Sequence, residues 1–140
     1  MVKLSTKSRY GARLLLDMAR HCDQGPVQLG DIAKRQNISV KYLEQIIIPL
    51  KKAGLVTSLR GPKGGHRLAR PPEEITIGEI VAILEEGAHL VDCLQDGEVC
   101  PQAETCPTRS VWEEATAAMF NALNAVTLAD LVQRCAAVED

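Results

Sequence analysis

The sequence predicts a mostly α-helical fold with a small β wing and a long C-terminal helix. Three observations predict it. Apolar residues recur at helical spacing through the first 53 residues, a glycine-rich stretch between two short apolar runs follows, and an alanine-rich periodic stretch closes the chain. Charge divides the chain in the same place. Residues 1–70 carry 14 Lys or Arg against four Asp or Glu, and residues 71–140 carry two against 14, although the net charge is only -2. A basic half suits a polyanionic partner, and the acidic half then has other work.

Each element follows in order. In "KSRYGARLLLDMARHC", Tyr10, Leu14 and Met18 share a face that Leu15 and Ala19 widen, and Asp23, Gly25 and Pro26 end the pattern. "QLGDIAKRQN" reads as a short helix with Leu29, Ile32 and Ala33 inward, closed by a tight link through Asn37 and Ile38. Ser39 suits the N-cap of "VKYLEQIIIPLKKAG", anchored by Leu43, Ile46, Ile47 and Leu50. Pro49 is expected to bend or shorten that helix, and Gly54 to end it. Leu55–Leu59 and His66–Ala69 then form a hairpin around Gly61, Pro62, Gly64 and Gly65. Two helices joined by a tight link and followed by a hairpin make a winged helix-turn-helix.

That architecture turns the basic residues into an interface with duplex DNA. The second of the two linked helices would enter the major groove with Ser39, Lys41, Tyr42, Glu44 and Gln45 outward. Gln45 can read an adenine edge and Glu44 a cytosine amino group. Lys7, Arg9, Arg35, Lys41, Lys51 and Lys52 are expected at the DNA backbone. In the wing, Arg60, Lys63, His66 and Arg67 crowd the glycine-rich turn. That turn has no Lys-Ser/Thr pair and no following helix, so it is no nucleotide-binding loop. Arg60 is expected to matter more than Lys63, because a guanidinium fork held at a strand end loses less freedom on binding.

The acidic half begins at "PPEEIT". Thr76 starts a helix with Ile77, Ile80, Val81 and Leu84 packed, Glu79, Glu85 and Glu86 wet, and Gly87 as its end. The layout is a DNA-binding region over 1–75 and a sensor and dimerisation region over 76–140, with a cysteine loop at 92–107 and a long helix at about 108–125. In that helix Val111, Ala115, Ala118, Ala122 and Ala125 form a seam beside Trp112, Met119, Leu123 and Val126. Small residues let two backbones approach, so this surface is expected against a second subunit. "TLADLVQRC" reads as a short final helix capped by Thr127.

Cys93, Cys100 and Cys106 are spaced C-x6-C-x5-C, and Cys22 and Cys135 stand apart from them. Three thiolates in one loop repel one another unless protonated, oxidised or metallated. An iron–sulfur cluster explains the grouping best. Zinc with a fourth ligand and a two-cysteine redox switch are the alternatives. The chain holds no Ser-His-Asp array, metalloprotease motif or catalytic acid pair, so an enzyme is not expected. No apolar run reaches membrane-spanning length and the basic start lacks a signal-peptide core, so the expected location is the cytoplasm.

Nearly the whole chain resembles the bacterial winged-helix regulators typified by the iron–sulfur cluster regulator IscR, the nitric-oxide sensor NsrR and the cysteine-metabolism regulator CymR. The likeness lies in "LSTKSRYGARLLLDMA", "SVKYLEQIIIPLKKAGLVTSLRGPKGGHRLAR", "ITIGEI", the three-cysteine loop and "TLADLV". It implies a homodimer with a winged domain at each end of a long crossed helix pair, bound to a roughly palindromic promoter operator. It also implies DNA contacts at Ser39, Lys41, Tyr42, Glu44 and Arg60, and cluster ligation by Cys93, Cys100 and Cys106. The fourth ligand is not inherited. Arg109 stands where the cluster regulator has histidine and Arg9 where the nitric-oxide sensor has aspartate, and an arginine stays protonated. His89, Asp92, Asp96, Glu98 and Glu104 are local candidates, and an external thiol or water is another. The cluster type, 2Fe–2S or 4Fe–4S, stays open. So do a metal-free regulator whose loop senses a metabolic enzyme or thiol oxidation, a zinc-bound regulator, and a small redox or cluster-transfer protein.

Overall fold

The computed structural model describes residues 3–85 and 105–139. Helix α1, Thr6–Arg20, starts at Ser5, whose hydroxyl accepts from the Ser8 amide at 3.2 Å. It buries Leu14, Leu15, Met18 and Ala19 as their spacing requires. Helix α2, Leu29–Gln36, ends at Asn37, whose left-handed backbone (φ 56°) turns the chain at once into α3, Val40–Lys52. Ser39 caps α3 by accepting from the Tyr42 amide at 3.1 Å. Leu43, Ile46, Ile47 and Leu50 bury the inner face of α3.

Pro49 does not shorten α3, which runs on to Lys52. Its fixed φ is already helical and its missing N–H costs one bond, which four buried apolar side chains outweigh. Gly54 (φ 81°) ends the helix, with its amide donating to Lys51 and that of Leu55 to Leu50.

The wing pairs β1, Val56–Leu59, with β2, Gly65–Leu68, antiparallel, with Val56 opposite Leu68 and Leu59 opposite Gly65. The first strand starts one residue later than expected and ends at Leu59 as expected, the second is shifted back by one, and an amide bond from Ala69 to Leu55 at 2.9 Å continues the pairing. A bridge not foreseen joins Val27 to His66 through two backbone bonds of 2.8 Å. His66 therefore sits in β2, in the strand expected to hold it. Gln28 also clamps the turn, donating to the Gly64 carbonyl at 2.5 Å. Gly64 has no room for a side chain, since a Cβ there would lie 2.1 Å from the Leu59 carbonyl oxygen.

After a 3-10 turn at Pro72–Glu74, Thr76 caps α4, Ile77–Leu84, which buries Ile80, Val81 and Leu84. Two of the glutamates expected in water are engaged. Glu79 pairs with Arg70 at 2.5 Å, and Glu85 accepts from the Ser5 amide at 2.7 Å and the Ser8 hydroxyl at 2.8 Å. Their partners are distant in sequence, so spacing could not reveal them. Glu86 and Gly87 lie outside the described residues, and α4 ends before them at Leu84. Gly11 of α1 leaves a notch for Leu84, whose Cδ1 occupies the place of a Cβ.

Helix α5, Arg109–Asn124, matches the expected long helix, and none of its residues is buried within the single chain. Val111 and Trp112 are 51% and 39% exposed. Helix α6, Leu128–Glu139, is longer than the short final helix expected over "TLADLVQRC". Thr127 and Asp130 cap its start reciprocally, at 3.0 and 3.1 Å. Leu128 joins the core, and backbone bonds Ile77 to Val126 and Leu128 to Ile75, both 2.9 Å, tie this corner to α4.

One charge is buried within the head. Asp17 of α1 is 2% exposed and accepts from Arg35 at 3.0 and 2.6 Å and from Gln36 at 3.0 Å. Burial pushes its carboxyl up, but the hydrogen bonds from Arg35 and Gln36 and the charges of Arg35 and His21 outweigh this and hold it below its ordinary value. Arg35 is therefore a structural partner of α1.

Two outcomes follow from this geometry. Asp17→Ala strands the Arg35 guanidinium and is expected to cost about 2–3 kcal/mol in chemical unfolding at pH 7, the lower end for a broken buried pair because Arg35 reaches water. A depressed folded pKa contributes stability that is present above the unfolded value and lost as pH falls through the folded one. The wild type should therefore lose stability below about pH 4, and the variant should show a flatter acid limb. Gly64→Ala should cost about 2–3 kcal/mol, with hydrogen-exchange protection lost first at Val27 and His66.

Candidate nucleic-acid interface and cysteine segment

The outward face of α3 exists because its four inward residues are taken by the core. Lys41, Glu44, Gln45, Lys51 and Lys52 are exposed, as is the capping Ser39. Tyr42 is half-buried and meets Tyr10 edge to face at 5.7 Å, while Arg13 lies over the Tyr10 ring at 5.3 Å. Tyr42 is thus a packing residue that fixes α3 against α1, with part of its surface left open. Lys51 and Lys52 occupy the last turn, where the helix dipole favours cations.

The start of α1 reaches the same surface. Lys7 and Arg9 are exposed in its first turns. Lys7 lines a shallow cleft of about 460 Å³ with Ser5, Tyr42, Leu84 and Glu85. A neighbouring hollow of about 380 Å³ runs from Thr6 and Tyr10 to Asn37, Ser39 and Tyr42. The first turns of α1 and α3 therefore flank Tyr42 together.

The wing supplies the second group of cations. Arg60 follows β1, Lys63 stands in the turn and Arg67 on β2, all three exposed. His66 differs from them. Burial first, and the Lys51 charge second, hold its imidazole below the ordinary value, and its ring lies 3.2 Å from the Ser58 hydroxyl. This shift favours the neutral imidazole over the charged one, unlike the arginines beside it. Gln28 and Val27, which hold the turn in place, were not legible as site residues because their partners lie in the wing, far along the chain.

Of the three grouped cysteines, Cys106 is described and Cys93 and Cys100 are outside the described residues, as are His89, Asp92, Asp96, Glu98 and Glu104. Cys106 lies just before α5, half-exposed, with its sulfur 3.1 Å from the Thr108 hydroxyl. That hydroxyl, the amides of Thr108 and Arg109, and the Arg109 charge hold its thiol below the ordinary range. A sulfur so placed fits a thiolate ligand to a soft metal group, and three cysteines within one segment fit an iron–sulfur cluster by donor type. Arg109 begins α5 and approaches Glu113 at 3.5 Å. Among the described residues no group of three or more His, Cys, Asp or Glu is placed to hold a metal. Cys22 is exposed, and Cys135 lines a hollow between α1 and α6. Among the described residues no helix is long and apolar enough to cross a membrane.

Comparison with known proteins places this architecture. Residues 4–134 match the model of the Rrf2 family, described as iron-dependent transcriptional regulators. Protein rrf2 of Nitratidesulfovibrio vulgaris is 49% identical over 132 residues, covering 94% of this chain and 88% of that protein. The solved structure of T. potens IscR superposes with a TM-score of 0.78 at 40% identity, over 96% of this chain and 88% of that one. CymR, the global cysteine regulator of B. subtilis, gives 0.78 at 38% identity, over 96% and 98%. The family match spans the winged head, the cysteine segment and α5 alike, and the chain belongs to the Rrf2 family of transcriptional regulators.

Proposed function

We propose that this chain is a homodimeric, sequence-specific DNA-binding regulator whose operator affinity is gated by an iron–sulfur cluster held by Cys93, Cys100 and Cys106. The observation that carries the DNA-binding part is the outward face of α3, with Ser39, Lys41, Glu44 and Gln45 open to solvent beside a wing that projects Arg60, Lys63 and Arg67. The polar side chains suit base edges and the cations suit phosphates. Two copies place two such heads on successive grooves, and α5 supplies the dimer surface, since among the described residues Val111, Trp112, Ala118, Ala122 and Ala125 stay exposed.

The cluster reading rests on the donor set. The Thr108 and Arg109 groups around Cys106 lower its thiol and favour ligation, and the relatives include a protein named IscR as well as a cysteine regulator. When bound, the cluster supplies a redox-responsive cross-link among the three sulfurs. The chain's own residues connect that segment to the head. Glu85, the last described residue before it, is fixed to the first turn of α1, beside Lys7 and Tyr42. Cys106, at its far end, leads directly into α5. A change in the path of the segment thus pulls on the two elements that set head position, α1 and the dimer helix.

The test is oxygen-free purification, analysis for iron, sulfide and zinc, and footprinting on duplexes selected from a random pool. Expected are iron and sulfide together, visible absorption lost in Cys106→Ala and kept in Cys22→Ala and Cys135→Ala, and protection over two half-sites. Arg60→Ala should weaken operator binding by about tenfold or more, and Lys63→Ala mainly reduce the salt dependence. Stoichiometric zinc without sulfide, or no metal at all, removes the cluster and leaves the DNA-binding part to the footprint. Equal affinity for every duplex removes the DNA-binding part.

A further inference from the structure

We propose that Ile48 is a specificity-determining residue of the recognition helix, reading the 5-methyl group of a thymine in each operator half-site. The inference rests on the DNA-binding reading and deepens it.

Ile48 is 51% exposed, although it stands in a helix whose neighbouring isoleucines, Ile46 and Ile47, are fully or almost fully buried. Helical geometry explains the contrast. With Leu43, Ile46, Ile47 and Leu50 facing the core, position 48 falls near the middle of the opposite face. Its neighbours one turn back are Glu44 and Gln45, and one turn on is Lys52, all exposed. A branched apolar side chain is therefore set among the polar groups best suited to base edges and phosphates. Within the described chain it is not part of the core, and it does not need to be apolar for α3 to fold, because the inner face already holds the helix.

The major groove offers one apolar feature, the thymine methyl. The Ile48 side chain matches it in chemistry, and the flanking residues supply the hydrogen-bonding groups for neighbouring bases. Spacing makes the proposal specific. Ile48 lies four residues from Glu44, about 6 Å along the helix, against a base-pair rise of about 3.4 Å. The thymine read by Ile48 then lies about two base-pair steps from the base contacted by Glu44. This requires α3 to lie along the groove for more than its first turn, so that position 48 reaches a base.

The experiment replaces each thymine of the selected operator by deoxyuridine, which removes only the methyl, and measures binding by wild type, Ile48→Ala, Ile48→Val and Val40→Ala. Val40 is the other exposed aliphatic residue of α3, at its first position, and serves as the control for end-on docking. One thymine per half-site should weaken wild-type binding by about threefold to tenfold when its methyl is lost, the scale of one buried methyl group. Ile48→Ala should bind the thymine and deoxyuridine operators equally, Ile48→Val should keep part of the discrimination, and Val40→Ala should keep all of it. Unchanged thermal unfolding of Ile48→Ala shows that the head is intact. Discrimination that survives in Ile48→Ala, or that disappears in Val40→Ala instead, overturns the assignment while leaving DNA binding in place. A wild type that selects no sequence removes the DNA-binding reading itself, and this assignment with it.

Discussion

Asp17 is a carboxylate almost without solvent exposure, and its bonds to Arg35 and Gln36 tie α1 to α2. Separating the two helices would leave a charge buried and unpaired, which costs far more than an exposed ion pair could return. At its other end α1 is held by α4. Glu85 satisfies the Ser5 amide and the Ser8 hydroxyl, and Leu84 fills the notch that Gly11 leaves open. Helix α1 is thereby fixed at both ends, and α3 is positioned against it by the core and by the Tyr10–Tyr42 pair. The recognition face inherits its orientation from these constraints.

The same constraints sort the cations. Arg35 is committed to Asp17, Arg70 to Glu79, and Arg13 to Gln36 and the Tyr10 ring. His66 is built into the sheet, and its burial favours the neutral imidazole. The open cations are then concentrated on α3, the wing and the first turns of α1. The basic half of the sequence is thus part scaffold and part interface, and a count of charges cannot separate the two.

What was legible in the sequence was local. Ser39, Thr76 and Thr127 signal their helix starts, and Gly54 signals an end, because a cap bonds within three or four residues of itself. Apolar periodicity gave the inner faces of α1, α3 and α4 for the same reason. Pro49 and the length of α6 were misread locally, and the other misreadings were of distant partners. Glu79 and Glu85 looked like solvated helix residues until Arg70 and the start of α1 were brought to them, and the bridge from Val27 to His66 had no local signal. Ile48 passed unnoticed in a run of three isoleucines, since the run alone does not say which of them faces out. In the cysteine segment, residue type suggested soft-metal chemistry, and of the three grouped cysteines only Cys106 is described, with surroundings that lower its thiol.

The proposed gating needs the segment between Glu85 and Cys106 to act on the head, and both of its flanks are attached where such an action would be felt. Glu85 holds α1 beside Tyr42, and Cys106 precedes α5. The most direct test is the ratio of operator affinities of the cluster-loaded and cluster-free dimers, measured at one salt concentration by equilibrium titration. Coupling between the two sites predicts a ratio of at least about fivefold, reduced toward one in Glu85→Ala at unchanged cluster content. Equal affinities in the wild type would contradict the account.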